Sequence, residues 1–207
     1  MILFVAGVDT GVGKTVATGR MARWYARRGL SVITHKLVQT GGRGISADIR
    51  EHRKIMGVGL LPEDRAGFTC PYVFRLPASP HLAAAREGRS VDPRRLARTV
   101  ARLARSFDVV LVEGVGGLCV PLTRDFTTLD FLAGMKWPVV LVTGPRLGSI
   151  NPTLLSLAAL SERGVQLAAL VYNLHLKARP EIVADSRRVF ERALARTGSP
   201  APLLVMK

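Results

Sequence analysis

The chain has little that would cross-link it, anchor it in a membrane or make it acidic. Two cysteines, Cys70 and Cys119, are all that its 207 residues hold. They have neither metal-ligand spacing nor a disulfide framework, so they read as small buried or half-buried thiols in a reducing compartment. No run of about 18 apolar residues exists, and the apolar start Met1 to Ala6 lacks the length and the basic flank of a secretion signal. A soluble, cytoplasmic protein with no membrane partner is expected. Histidine is scarce: His35, His52, His81 and His175 show no metal spacing, and Ser79 has no His/Asp pattern around it, so nucleophilic catalysis leaves no signal.

Acidic residues are few, 15 against 30 lysines and arginines, for a formal net charge of +15. Such a field favours anionic partners. The basic residues, however, recur along helix-like segments, as at Arg94, Arg95, Arg98, Arg102 and Arg105, and no aromatic stacking residues are interleaved with them. They read as solvated helix faces, and no nucleic-acid partner is expected.

What is present is a core. With 48% apolar residues the chain can bury one substantial interior, and residues 1–207 read as a single domain. Apolar, β-branched runs of strand length recur at "ILFVAG", "SVITH", "DVVLVEG", "PVVLVTG" and "QLAALVYN", most of them separated by segments of helical period. Continuous apolar strands suit a sheet covered on both faces, so the expected fold is a doubly wound α/β domain with a mainly parallel sheet. The first helix is expected to bury a stripe of Ala17, Met21, Trp24 and Tyr25 and to end at Gly29. Asp92 with Pro93, and Asn151 with Pro152, read as helix N-caps followed by proline. Residues 57–80, rich in glycine and proline, read as a long, functional or partly structured excursion.

Four stretches carry candidate chemistry. "GVDTGVGKT", from Gly7 to Thr15, lies between an apolar strand and an amphipathic helix. Gly11 and Gly13 permit the backbone N–H groups to converge on phosphate oxygens, Lys14 would neutralise them, and Thr15 would ligate Mg²⁺. The strict pattern wants glycine at position 8, where Val8 stands, with Gly7 one place early. Glu113 closes the strand in "DVVLVEGVGG", where an acid beside a phosphate loop faces the ligand crevice and can hold Mg²⁺. Lys36 and Thr40 in "HKLVQTGG" could serve a transferred phosphoryl group or lie on an ordinary surface, and Asp48 in "ISADIREHRKIM" could ligate metal or sit in a helix's first turn. In "GPRLGSINP", the N–H groups of Gly148, Ser149, Ile150 and Asn151 could bind an anion or simply open a helix.

Together with "CPYVFRLPASPHLAAAREGR", "VEGVGG", "LGSINPTLL" and "VYN", these stretches resemble the dethiobiotin synthetase family, in the family's order and over residues 2 to about 204. The resemblance explains Val8, since the first glycine of that branch lies one residue early. It also separates the chain from partitioning-type ATPase switches that bind nucleic acid or membrane, which carry lysine where Asp9 stands and are the alternative reading. It implies ATP- and Mg²⁺-dependent carboxylation and ring closure of 7,8-diaminononanoate with CO₂ or bicarbonate.

By the same resemblance, Asp9, Thr10, Gly11, Val12, Gly13, Lys14, Thr15 and Val16 hold the nucleotide, with Thr10, Lys14 and Lys36 catalytic. Thr15, Asp48 and Glu113 hold Mg²⁺, Asn173 reads the adenine edge, and Lys36, Thr40, Gly116 and Gly117 line the diamine end. Gly148, Ser149, Ile150 and Asn151 receive the substrate carboxylate from the neighbouring subunit of a homodimer. Leu37 stands where the family usually has proline, which is expected to loosen the backbone of Lys36 and Thr40. The family pattern runs on past "APLLVMK" into a segment flanking the base, so weak base discrimination is expected.

Overall fold

The computed structural model describes residues 1–196 and 200–207. Its centre is a six-stranded sheet whose neighbours are all parallel. The strands are β1 (Ile2–Gly7), β2 (Val32–Lys36), β5 (Val109–Glu113), β8 (Val139–Thr143), β9 (Leu167–Asn173) and β10 (Leu203–Met206), in spatial order β10-β9-β8-β1-β5-β2. Every residue of β2, β5 and β8 is buried, as expected of strands covered on both faces. All five apolar runs of the sequence are therefore strands of one sheet.

The long connections are helical: α1 (Lys14–Ala26), α2 (Ala47–Met56), α5 (Pro93–Leu103), α6 (Thr128–Met135), α7 (Ile150–Glu162) and α8 (Pro180–Arg196). After β1 the chain passes through α1 to the edge strand β2, then returns to β5, between β2 and β1. Beyond β5 it continues on the other side of β1, through β8 and β9 to β10. This reversal beside β1 opens a crevice at the carboxyl ends of β1, β5 and β2, the usual ligand position in open α/β sheets.

The excursion at 57–80 is partly structured, holding the short helix α3 (Pro62–Arg65) and the strand β4 (Val73–Phe74), which pairs with β3 (Gln39–Thr40). A seven-residue helix, α4 (Pro80–Arg86), follows, and β6 (Pro121–Thr123) pairs with β7 (Phe126–Thr127) beyond β5. The largest core cluster joins Phe4, Ile33, Leu37, Phe74 and Leu96 with Phe131, Tyr172 and Phe190.

Three local expectations are corrected. The buried residues of α1 are Lys14, Ala17, Thr18, Gly19 and Ala22, whereas Trp24 is 50% exposed. α1 packs against α2 as well as the sheet, and at Gly19 a Cβ would come within 2.9 Å of Ile55, so small residues set that face. Trp24 instead lies on the outer surface with the Arg28 guanidinium 3.5 Å from its ring centroid. Second, α7 starts two residues earlier than Asn151 and Pro152 suggest, with Ser149 at the N-cap. Asp92 does cap α5, accepting from the Arg94 N–H. Third, Cys70 is buried, and burial pushes its thiol up to about 12, but Cys119 is exposed in the turn after Leu118.

Candidate active site

The phosphate-loop sequence folds as a turn from β1 into the N-terminus of α1. Gly13 is the N-cap, with φ at 96°, in the left-handed region that only glycine adopts without strain. A Cβ there would also lie 2.2 Å from Asn173 Nδ2, which donates to the Val12 carbonyl at 2.9 Å. Gly7 is equally constrained, because its Cβ would meet the Val12 and Lys14 side chains at 2.8 and 2.9 Å. The early glycine is therefore the place where the loop folds back on its own lysine. Lys14 is buried with Nζ donating to the Asp9 carbonyl at 2.8 Å. Burial, aided by the like charge of Lys36, brings its pKa down to about 8.

The Asp9 carboxylate is half exposed and turned to its own loop and to Arg146. Its Oδ1 accepts from the Thr10 N–H at 2.7 Å and its Oδ2 pairs with Arg146 at 2.9 Å, and these bonds hold its carboxyl below the usual range. Asp9 thus shapes the loop and ties it to the segment after β8. Thr10 is exposed, and Thr10, Gly11, Gly13, Lys14, Thr15 and Val16 line one cleft of about 760 Å³. Val12 is buried beneath it.

The opposite wall comes from the ends of β2 and β5 and the start of α2. Lys36 Nζ donates to Asp48 Oδ2 at 2.6 Å, to Glu113 Oε1 at 2.8 Å and to the Gly114 carbonyl at 3.0 Å. Thr15 Oγ1 donates within reach of the same two carboxylates, 3.0 Å from Glu113 Oε1 and 3.2 Å from Asp48 Oδ1. Lys36 is only 5% exposed and Glu113 only 1%. Burial works against the charge on both, but attraction wins: Lys36 is held above its ordinary value, and Lys36 with His52 keeps the Glu113 carboxyl down at about 2. Lys36 is therefore no surface lysine, and Asp48 joins the site from the first turn of α2.

The leucine after Lys36 tightens this wall instead of loosening it. The Leu37 N–H donates to the Glu113 carbonyl at 3.0 Å and its side chain is fully buried. A proline could not make that bond. The Lys36 N–H likewise donates to Thr69 O at 2.7 Å, which fastens β2 to the excursion.

Behind the wall lies a layer that sequence reasoning missed. His52 Nε2 is 2.7 Å from Glu113 Oε2 and its Nδ1 is 3.0 Å from Thr34 Oγ1. Arg53 donates to Thr34 Oγ1 at 2.9 Å and forms a two-pronged pair with Asp64, both bonds 2.8 Å. His52, Thr34 and Arg53 are almost wholly buried. The available signal was spacing: His52 lies four residues after Asp48 on α2, hence on the same helix face. His35, next to Lys36, is also fully buried, and burial brings its pKa down to about 3.

Other expected residues divide. Thr40 and Gly116 line the same cleft as Lys14 and Lys36, with Gln39, Ser79 and Pro80. Gly117 packs beneath the phosphate loop, where a Cβ would come within 3.3 Å of the Val8 carbonyl. Arg146, Leu147, Ser149 and Pro152 line a separate cleft of about 510 Å³ that shares Thr10 and Gly11. The start of α7, Gly148 to Asn151, is thus not joined to Lys36 and Thr40 within one chain. The Asn173 amide braces the loop at Val12, and its Oδ1 accepts from the His175 N–H at 3.0 Å.

The donor set fits Mg²⁺. One hydroxyl and two carboxylates, all hard oxygen ligands from three different elements, converge beside a phosphate loop, each carboxylate within a hydrogen bond's length of the Thr15 hydroxyl.

Known proteins agree with this architecture. Residues 2–198 match the family described as "AAA domain". The chain is similar to the MinD-containing cell-division complex of Aquifex aeolicus, at TM-score 0.56 and 16% identity over 100% of this chain and 81% of that one. A ParA family ATPase from Chlorobium tepidum gives TM-score 0.55 at 13% identity over 100% and 85%. Those identities speak for the fold alone.

Sequence relatives are far closer. The ATP-dependent dethiobiotin synthetase BioD of Chlorobaculum tepidum is 50% identical over 204 residues, 98% of this chain and 85% of that protein. BioD 2 of Pasteurella multocida is 46% identical over 195 residues, 94% and 92%. At such identity and coverage, with the phosphate loop, the Lys36 wall and the glycine turn after Glu113 assembled in one cleft, the chain belongs to the ATP-dependent dethiobiotin synthetase family.

Proposed function

We propose that this chain closes the cyclic urea of dethiobiotin from 7,8-diaminononanoate, CO₂ and ATP, a ligase step of biotin biosynthesis. The observation that carries the reading is the convergence of Lys14, Thr15, Lys36, Asp48 and Glu113 on one cleft that also reaches Thr40. One amine of the substrate takes up CO₂ as a carbamate, whose oxygen attacks the γ-phosphorus as ADP leaves. The second amine then attacks the carbamoyl carbon and expels phosphate. Lys14 and the loop N–H groups receive the phosphates, and Thr10 lies on the rim beside them. Thr15, Asp48 and Glu113 would hold Mg²⁺, which when bound neutralises charge on the phosphate oxygens. The Lys36 ammonium, held by Asp48, Glu113 and the Gly114 carbonyl at the wall of the cleft, brings a fixed positive charge towards the charge that develops between carbamate and γ-phosphate. Phosphoryl transfer asks little more of a protein than such positioning.

Asn173 keeps one amide hydrogen and one carbonyl lone pair beyond its bonds to the Val12 carbonyl and the His175 N–H, enough to meet the adenine edge. The start of α7 would receive the substrate carboxylate of the neighbouring subunit in a homodimer.

Purified protein given the diamine, bicarbonate, Mg²⁺ and ATP should form dethiobiotin and release phosphate in equal amounts. Phosphate release that ignores the diamine and answers instead to DNA would overturn this function. For the composite site, mixing a Lys36→Ala subunit with one carrying Ser149→Pro should restore activity that neither has alone. If the mixture stays inactive while both variants fold and exchange subunits, each site belongs to one chain.

A further inference from the structure

Glu113 has two carboxylate oxygens with different duties. Oε1 faces Thr15 and Lys36 at 3.0 and 2.8 Å, on the cleft side, while Oε2 is turned inward to His52 Nε2 at 2.7 Å. The strand alone cannot fix that arrangement, because the terminal torsion of glutamate is broad and two-fold. Something must stop the carboxylate from turning towards its ion pair.

The ring of His52 is held from behind. Thr34 Oγ1 accepts a hydrogen bond from Arg53 at 2.9 Å and lies 3.0 Å from His52 Nδ1, so it is itself fixed against the ring. The Glu113 carboxylate can only accept, so the ring nitrogen facing it, Nε2, carries a hydrogen, and in the neutral ring Nδ1 then accepts from the Thr34 hydroxyl. Arg53 is immobilised in turn by its two bonds to Asp64, whose carboxylate also accepts from Thr69 Oγ1 at 2.7 Å and the Leu61 N–H at 2.8 Å. A continuous buried chain of hydrogen bonds thus runs from the excursion at 61–69 to the inward oxygen of Glu113.

We propose that His52 is a positioning residue for Glu113: it pins Oε2 through a ring oriented by Thr34, and so presents Oε1 to the metal beside Thr15 and Asp48. This rests on Glu113 being a metal ligand, as proposed above. Partners of ligating groups typically contribute 10- to 100-fold in metal affinity. Apolar replacement of His52 would leave Oε2 buried without its donor, free to rotate or to draw Lys36 further in.

The test is Mn²⁺ titration of the protein saturated with a non-hydrolysable ATP analogue, read by the electron paramagnetic resonance of free and bound ion, so that turnover plays no part. His52→Leu should weaken Mn²⁺ binding by about 10-fold or more while leaving metal-free binding of the analogue unchanged. His52→Gln, whose amide can donate to Glu113 and accept from Thr34, should stay within a few-fold of wild type. Thr34→Val removes only the hydroxyl that orients the ring, and should weaken Mn²⁺ several-fold.

A folded His52→Leu protein with wild-type Mn²⁺ affinity overturns the proposal. If that variant does not fold, unchanged affinity in Thr34→Val overturns it instead. A His52→Gln protein as impaired as His52→Leu would also count against it, because both hydrogen bonds are available to glutamine. Glu113→Gln separates the two readings. If it binds Mn²⁺ as well as wild type, the metal assignment fails; if it loses the ion while His52→Leu keeps it, only the role of His52 fails.

Discussion

Replacing Lys36 with alanine is expected to lower turnover by roughly 100- to 1,000-fold while changing affinity for an ATP analogue by far less. The ammonium already uses its three hydrogens on Asp48, Glu113 and the Gly114 carbonyl, all within 3.0 Å. None of these belongs to the phosphate loop, and Lys14 remains for the phosphates that it is proposed to receive. What the variant loses is a buried positive charge at the proposed carbamate end of the cleft, where negative charge would develop as the phosphoryl group moves. A transition-state contact lowers kcat and kcat/KM together, whereas equal losses in kcat and ATP affinity would mean that Lys36 only binds nucleotide.

The variant carries a second signature. Lys36 neutralises the two carboxylates proposed as metal ligands, so ammonium and ion compete for the same charge. Mn²⁺ affinity of Lys36→Ala in the analogue complex should therefore equal or exceed that of wild type. A marked fall in metal affinity would show that the turnover defect arises from a collapsed metal site and not from the missing charge.

Lys36 also marks where the sequence stopped being readable. The parallel sheet was legible because five apolar runs of strand length can only be buried on both faces, and β5 and β8 are buried at every residue. The phosphate loop was legible because its chemistry is local, with glycine, lysine and threonine adjacent in the chain. Lys36, Asp48 and Glu113 meet across 78 residues, and Lys36 looks like a surface lysine until β2 is placed beside β5 in register with Glu113. The Thr34, His52, Arg53 and Asp64 chain was hidden for the same reason, since no periodicity predicts which polar residues find one another in an interior. Trp24 failed in the opposite way: helical period put it on the apolar stripe, but of that stripe only Ala17, Met21 and Tyr25 pack against the sheet clusters, while Trp24 at its margin stays 50% exposed with Arg28 over its ring.

Lys14→Met should abolish ATP binding and yet make the nucleotide-free protein more stable at neutral pH. The side chain is 6% exposed, and the bond described for its ammonium is to the Asp9 carbonyl at 2.8 Å. Its pKa is brought down from 10.5 to about 8, chiefly by burial and then by the charge of Lys36. A shift of that size corresponds to about 3 kcal/mol of strain on the charged form. Below pH 8 both folded and unfolded chains carry the proton, and the fold bears that whole disadvantage. Between about 8 and 10.5 the unfolded chain binds more protons than the folded one, so stability rises with pH and the disadvantage fades. Methionine keeps the length of the side chain without the charge.

Thermal melts of the two proteins should therefore differ by several degrees in the variant's favour near neutral pH, with the gap narrowing as pH is raised towards 10. ATP would reverse the order, because only the wild type gains stability from the nucleotide. A Lys14→Met protein that melts below wild type at neutral pH without nucleotide would mean that the Asp9 contact outweighs burial of the charge. The expected result would instead show that the loop stores its affinity as strain, an ammonium held in the dry until a phosphate arrives to meet it.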